Sequence, residues 1–176
     1  FAGVLGPGRH AYWKGPATLA FETLEVGSDG VLTHPKLATI LESAQARRWL
    51  RVVEATPGRE TIVFRDAVPT ARLTSGRLVL WLDQRPTQVV EVDLREQSAD
   101  VAGQEIMTQD KVTLRVNLVL TWQVVDALAS VTATTALDKA LYREAQLALR
   151  AAVGGRTLEA LLSDKEAVGQ ELQRLL

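Results

Sequence analysis

The chain has 176 residues, 47% hydrophobic and 23% charged, with 20 basic and 21 acidic side chains and a formal net charge of -1. That length can bury a core in one domain or one and a half without a covalent or metal staple, and the balanced charge lacks the basic excess of a nucleic-acid binder. The absence of cysteine excludes disulfides, zinc ribbons and thiol nucleophiles.

No apolar run reaches the roughly 20 residues of a bilayer-spanning helix, and nothing at the start reads as a signal peptide. The chain is therefore expected to be soluble as it stands. Because it starts at Phe1 and stops within a helical pattern, it reads as a fragment of a longer protein.

In chain order, Gly6-Pro7-Gly8 and Gly15-Pro16 are turn signals around a strand-like segment, 9–13. The pattern Leu5-x-x-Gly8-Arg9-x-x-x-Trp13 recurs as Leu73-x-x-Gly76-Arg77-x-x-x-Trp81. Each Trp is soon followed by Pro (Pro16, Pro86) and by a strand candidate, 18–26 or 87–94. Two copies suggest a duplicated hairpin, not a solenoid. Trp13 and Trp81, beside turns at equivalent positions, are candidate membrane-proximal residues, because indole rings favour the headgroup boundary; partly buried packing on the sheet is the plainer alternative.

Pro35 after Thr33-His34 predicts a helix over 35–46, with Leu37, Ile40, Leu41 and Ala44 as its apolar stripe. Strand character returns over 47–55. Thr56-Pro57-Gly58-Arg59 then reads as a turn into a strand at 60–65. Residues 89–97 alternate, with Val90, Val92 and Leu94 on one face and Glu91, Asp93 and Arg95 on the other.

The strongest alternation lies at 112–125. Val112, Leu114, Val116, Leu118, Leu120, Trp122 and Val124 make one face of a long half-buried strand. The strands at 89–97 and 112–125 are expected to pair, with the connection 98–111 holding at most one short strand at 105–108.

Beyond them, Thr135 and Asp138 form an N-cap pair for a helix whose buried face is Leu137, Ala140, Leu141, Ala145, Ala148, Leu149 and Ala152 and whose stop is Gly154-Gly155. A short helix at 157–162 precedes Ser163-Asp164-Lys165-Glu166, a capping box opening the last helix. There Leu158, Leu161, Val168, Leu172 and Leu175 follow a 3-4 spacing, with Lys165 in the one missing apolar position. That spacing suits either a self-associating helix or an amphipathic helix docked on its own domain.

Three runs carry a family resemblance: Val92-Asp93-Leu94-Arg95-Glu96-Gln97, then Ile106-Met107-Thr108-Gln109-Asp110-Lys111-Val112-Thr113, then Trp122-Gln123-Val124-Val125-Asp126. In this order they resemble the stomatin-like (slipin) type of the stomatin, prohibitin and flotillin superfamily, whose domain is called SPFH or band 7. Leu5-Gly6-Pro7-Gly8-Arg9-His10 is similar to the turn that opens that domain. The resemblance implies an α+β fold, a twisted, mostly antiparallel sheet with helices packed on one side, here preceded by a partial repeat of its opening hairpin. It divides the chain into an N-terminal partial repeat (1–55), a band 7-like core (56–155) and the start of a C-terminal assembly helix (156–176).

It further implies a non-catalytic, membrane-associated scaffold. Such a protein would self-assemble through Leu158, Leu161, Val168, Leu172 and Leu175, and would organise or modulate membrane proteins such as a channel or protease. Its membrane attachment would come from a segment absent from this chain. No cofactor, metal or nucleic acid is implied.

The competing readings are a soluble adaptor that binds a partner through residues 1–55 and a hydrolase. The chemistry for the latter is thin. His10 and His34 lack the spacing of a two-histidine metal site, Glu91 and Asp93 read as a solvated strand face beside Arg95, and Ser75 sits in a turn without a nucleophile motif. Gly6-Pro7-Gly8 is too short, and too constrained by Pro, to cradle a phosphate.

Overall fold

The structure, a computed structural model, describes residues 3–6, 8–12, 15, 16, 18–83 and 85–176. The chain divides into two compact units, Phe1–Asp93 and Leu94–Leu176. Every strand pair is antiparallel and helices pack on the sheets, so the fold is α+β as expected.

In the first unit, α1 (Leu37–Glu42) and a 3-10 turn (Ala46–Arg48) lead into β1 (Leu50–Glu54), β2 (Arg59–Arg65), β3 (Val68–Leu73), β4 (Arg77–Trp81) and β5 (Thr87–Asp93). The helix expected over 35–46 is shorter because Ser43 turns extended (ψ 125°). The Thr56–Arg59 turn forms as read, with Arg59 N–H donating to Thr56 O at 3.0 Å and Gly58 at φ 76°, where a side chain would be strained.

β2 is the centre of the sheet β3-β2-β5, and β1 pairs with β4. A strand flanked on both sides buries nearly all its residues, and Thr61, Ile62 and Val63 are fully inaccessible. Glu60 and Arg65 are buried there too, each against an opposite charge: Arg72 of β3 forms a two-pronged contact with Glu60, and Arg65 Nη2 lies 2.5 Å from Asp83 Oδ2. Burial works against the Asp83 carboxylate, but the Arg85 N–H and the Arg65 guanidinium outweigh it and hold its pKa below the usual carboxylate value.

Strand β3 was not foreseen. It is an edge strand containing Pro69, which an edge tolerates, and it follows β2 through a two-residue turn in which Asp66 and Ala67 both have positive φ.

Among the described residues the two copies of the repeated sequence pattern differ in structure. Residues 9–12 form no strand, Trp13 lies outside the described residues, and over 18–26 only Val26 makes a bridge, to Leu32. In the second copy β4 and β5 are both strands, but they pair with β1 and β2 and not with each other. Val4 instead joins Leu32, Ile40, Ala46, Leu50 and Val79 in a core under α1.

The second unit holds β6 (Gln97–Met107), β7 (Thr113–Trp122), α2 (Ala127–Ala133), α3 (Leu137–Gly154), α4 (Leu158–Ser163) and α5 (Lys165–Leu175). The expected pairing of 89–97 with 112–125 is corrected: β7 pairs along its length with β6, an eleven-residue strand where at most a short one was expected, and β5 pairs with β2. The reason is a bulge at Ala102-Gly103. It shifts the register between Val101 and Gln104, so Val101 and Ile106, five positions apart, both face the core, and the strict alternation that marks a strand is lost. Gly103 has φ 36°, and a Cβ there would come within 2.7 Å of the Arg115 guanidinium.

α3 lies on the apolar face of this hairpin. Ala148, Leu149, Ala152 and Val153 meet Ile106, Leu114, Val116 and Leu118, while Ala145 meets Val101 and Leu120. Two capping expectations are corrected. The N-cap of α3 is Ala136, without a side-chain cap, and α5 is capped by Asp164, which accepts from Ala167 N–H, while Ser163 closes α4 and donates to Glu159 O.

Leu149→Ala is expected to lower stability by about 2–5 kcal/mol, and Val119→Ala, on the exposed face of β7, by no more than about 0.5 kcal/mol. Urea unfolding of each variant checks the contrast.

Candidate functional site

The three runs behind the family resemblance fall at the joints of the β6–β7 hairpin. Gln97 starts β6 opposite Trp122 at the end of β7, and Gln123 Nε2 donates to Leu94 O at 2.9 Å. Asp126 caps α2, accepting from Leu128 and Ala129 N–H at 2.9 and 3.2 Å. At the other end, Thr108, buried to 4% exposure, donates its hydroxyl to Asp110 Oδ1 at 2.5 Å and accepts from Val112 N–H at 3.1 Å.

Asp110 then reaches across to α4, accepting from Leu158 N–H at 3.2 and 3.3 Å. The Thr108 hydroxyl is the main cause that holds the Asp110 carboxyl below its ordinary pKa; burial, next in size, opposes it, and the N–H groups of Asp110 itself and of Leu158 add smaller support. The motif was legible in the sequence. Its contact with α4 was not, because the two residues lie 48 positions apart.

The leucine stripe divides. Leu161 and Leu172 are buried with Leu149, Val153 and Ile106, Val168 packs beside them, and Leu158 is half-buried at the start of α4. Leu175 is exposed, and so are Leu162 and Leu176, which the stripe did not include. Docking on the domain therefore occupies the middle of the stripe and leaves its C-terminal end, with Leu162, on the surface.

In the first unit an apolar cleft of about 940 Å³ is walled by Val4, Leu24, Ile40 and Trp81, with Tyr12 and Phe21 at its rim. Trp81 is half-buried and stacks on Trp49, ring centres 5.6 Å apart and 8° from parallel. Trp13 lies outside the described residues.

His34 borders the cleft. Its Nδ1 accepts from Lys36 N–H at 3.1 Å, which leaves Nε2 to donate to Glu22 Oε1 at 3.1 Å. That bond, and then the charge of Lys36, lowers the Glu22 pKa. His10 Nε2 lies 2.7 Å from Gly6 O, so the two histidines serve separate local contacts.

Glu91 and Asp93 both face Arg59 across the β2–β5 pair, at 3.3 and 3.7 Å. Ser75 is exposed in the turn between β3 and β4. Among the described residues no cluster of three His, Asp or Glu side chains could hold a metal ion, and no helix is long and apolar enough to cross a membrane.

The sequence pattern of the SPFH domain / Band 7 family matches residues 53–176. The chain belongs to this family. Within the SPFH family, a stomatin homolog of Pyrococcus horikoshii is 38% identical over 89 residues, covering 51% of this chain and 34% of its own length. Stomatin of Mus musculus is 36% identical over 88 residues, 50% of this chain and 31% of its own. Protein unc-1 of Caenorhabditis elegans is 29% identical over 147 residues, 75% of this chain and 50% of its own. The chain spans about a third of the length of the first two. Its type is stomatin-like, in agreement with the motifs.

Because Asp110 titrates lower in the folded state, its contribution is complete above the unfolded carboxylate pKa of about 3.9 and disappears as pH falls through the folded value. Asp110→Asn is therefore expected to flatten part of the acid limb of the stability profile. Unfolding free energy measured against pH reads it directly.

Proposed function

We propose that this SPFH domain is the repeating unit of a non-catalytic, membrane-associated scaffold that self-assembles and organises or modulates neighbouring membrane proteins, such as a channel or protease. In this reading 56–155 is the core and 156–176 opens the assembly helix. Attachment comes from a segment outside this chain, with Trp13 and Trp81 near the membrane surface. The observation that carries the assembly step is the divided leucine stripe. Leu161 and Leu172 hold α4 and α5 on the domain, which leaves Leu162, Leu175 and Leu176 facing outward. Weak contacts of that size become strong collectively when many copies share one surface.

A second reading, an adaptor that takes a partner through residues 1–55, is favoured by the exposed Leu5, Tyr12, Leu19 and Phe21 beside the cleft; Phe21 is 69% exposed.

The double variant Leu162→Asp, Leu175→Asp of the intact protein is expected to weaken self-association at least tenfold without loss of helix content, as light scattering against concentration and circular dichroism would show. Unchanged assembly mass would remove this surface from the account. Partner capture lost in Phe21→Asp, with assembly intact, would favour the adaptor.

A further inference from the structure

The tip of the β6–β7 hairpin grips the α3–α4 joint at two neighbouring points. Gln109 N–H donates to Arg156 O at 2.9 Å, and the Asp110 carboxylate accepts from Leu158 N–H. Arg156 carries the connection onward, since its Nη2 lies 2.6 Å from Glu171 Oε2 on α5. The tip itself is a tight loop: Lys111 N–H donates to Thr108 O at 3.0 Å, Thr108 N–H donates to Val112 O at 2.9 Å, and Lys111 has φ 65°. A non-glycine residue held in that region costs free energy that the surrounding contacts must offset.

We infer that the Thr108-Gln109-Asp110 tip is a latch for the C-terminal helices, with Asp110 the positioning residue that sets the angle at which α4 and α5 dock on the domain. Leu161 and Leu172 supply apolar adhesion, which has no direction of its own. Orientation comes from hydrogen bonds with fixed geometry: Asp110 at the start of α4, Arg156 O beside it, and Arg156 with Glu171 along α5. This deepens the proposed assembly role and rests on it, because the docking angle of α4 and α5 decides where their exposed leucines point.

The latch is tested by hydrogen exchange on the intact protein. Loss of a bond to a charged acceptor is expected in Asp110→Ala to raise exchange of the α4 and α5 amides about tenfold, while β7 and the 145–153 segment of α3 stay protected. Asp110→Asn, which keeps an acceptor, is expected to recover part of that protection, and Glu171→Gln to loosen α5 more than α4. Equal loss of protection throughout the unit, or none anywhere, overturns the latch. Assembly mass of the same variants separates the two ideas: selective loosening with unchanged mass keeps the latch and discards the assembly role of these helices.

Discussion

A two-stranded sheet has one face too many for water, and the second unit is built around that constraint. The β6–β7 hairpin is stable only if its apolar side is covered, and α3 covers it with alanines at 145, 148 and 152 that let the helix come close and with Leu149 and Val153 that fill the space. The bulge at Ala102-Gly103 makes this possible. It turns Val101 and Ile106 to the same side, so one helix face can bury both halves of β6. α4 and α5 then close over the end of α3, bringing Leu161 and Leu172 into the same cluster.

Polar groups do a different task in each unit. In the first, Glu60 and Arg65 are buried on the central strand, and each has an opposite charge within reach. Such pairs contribute little net stability, but removing one partner leaves a buried charge uncompensated. In the second, the polar residues stand at joints: Asp126 where β7 passes into α2, Thr108 and Asp110 where the hairpin meets α4, and Asp164 where α5 begins. Thr108, Asp110 and Asp126, which belong to the motifs that resemble the family, thus stand where elements change direction, while the core is ordinary aliphatic packing.

For function, the geometry separates surfaces already spent on the fold from surfaces still open. The carboxylates on β5 face Arg59, and most of the C-terminal leucine stripe is occupied within the unit. Among the apolar side chains left outward are a small set on α4 and α5 and, in the first unit, the rim of the Trp81 cleft. Either patch would suit the contacts that the proposed scaffold role requires.

Local pattern determined much of this protein. The alternation of β7, the helical face of α3, the Pro57-Gly58 turn, the pairing of three motifs with one family and the short α4 helix were all legible, because each depends on residues a few positions apart. Tertiary structure decided what crosses the chain. Strand partners were exchanged because alternation tells which face a strand buries but not which neighbour it meets, and β6 was concealed by its own bulge. Among the described residues, the repeat around Trp13 and Trp81 forms named strands in its second copy, where β1 and β2 supply backbone partners. The candidate site divided in the same way. The leucine spacing was visible, whereas the inward position of Leu172, the outward position of Leu175 and the reach of Asp110 to α4 were set by the packing of elements far apart in sequence.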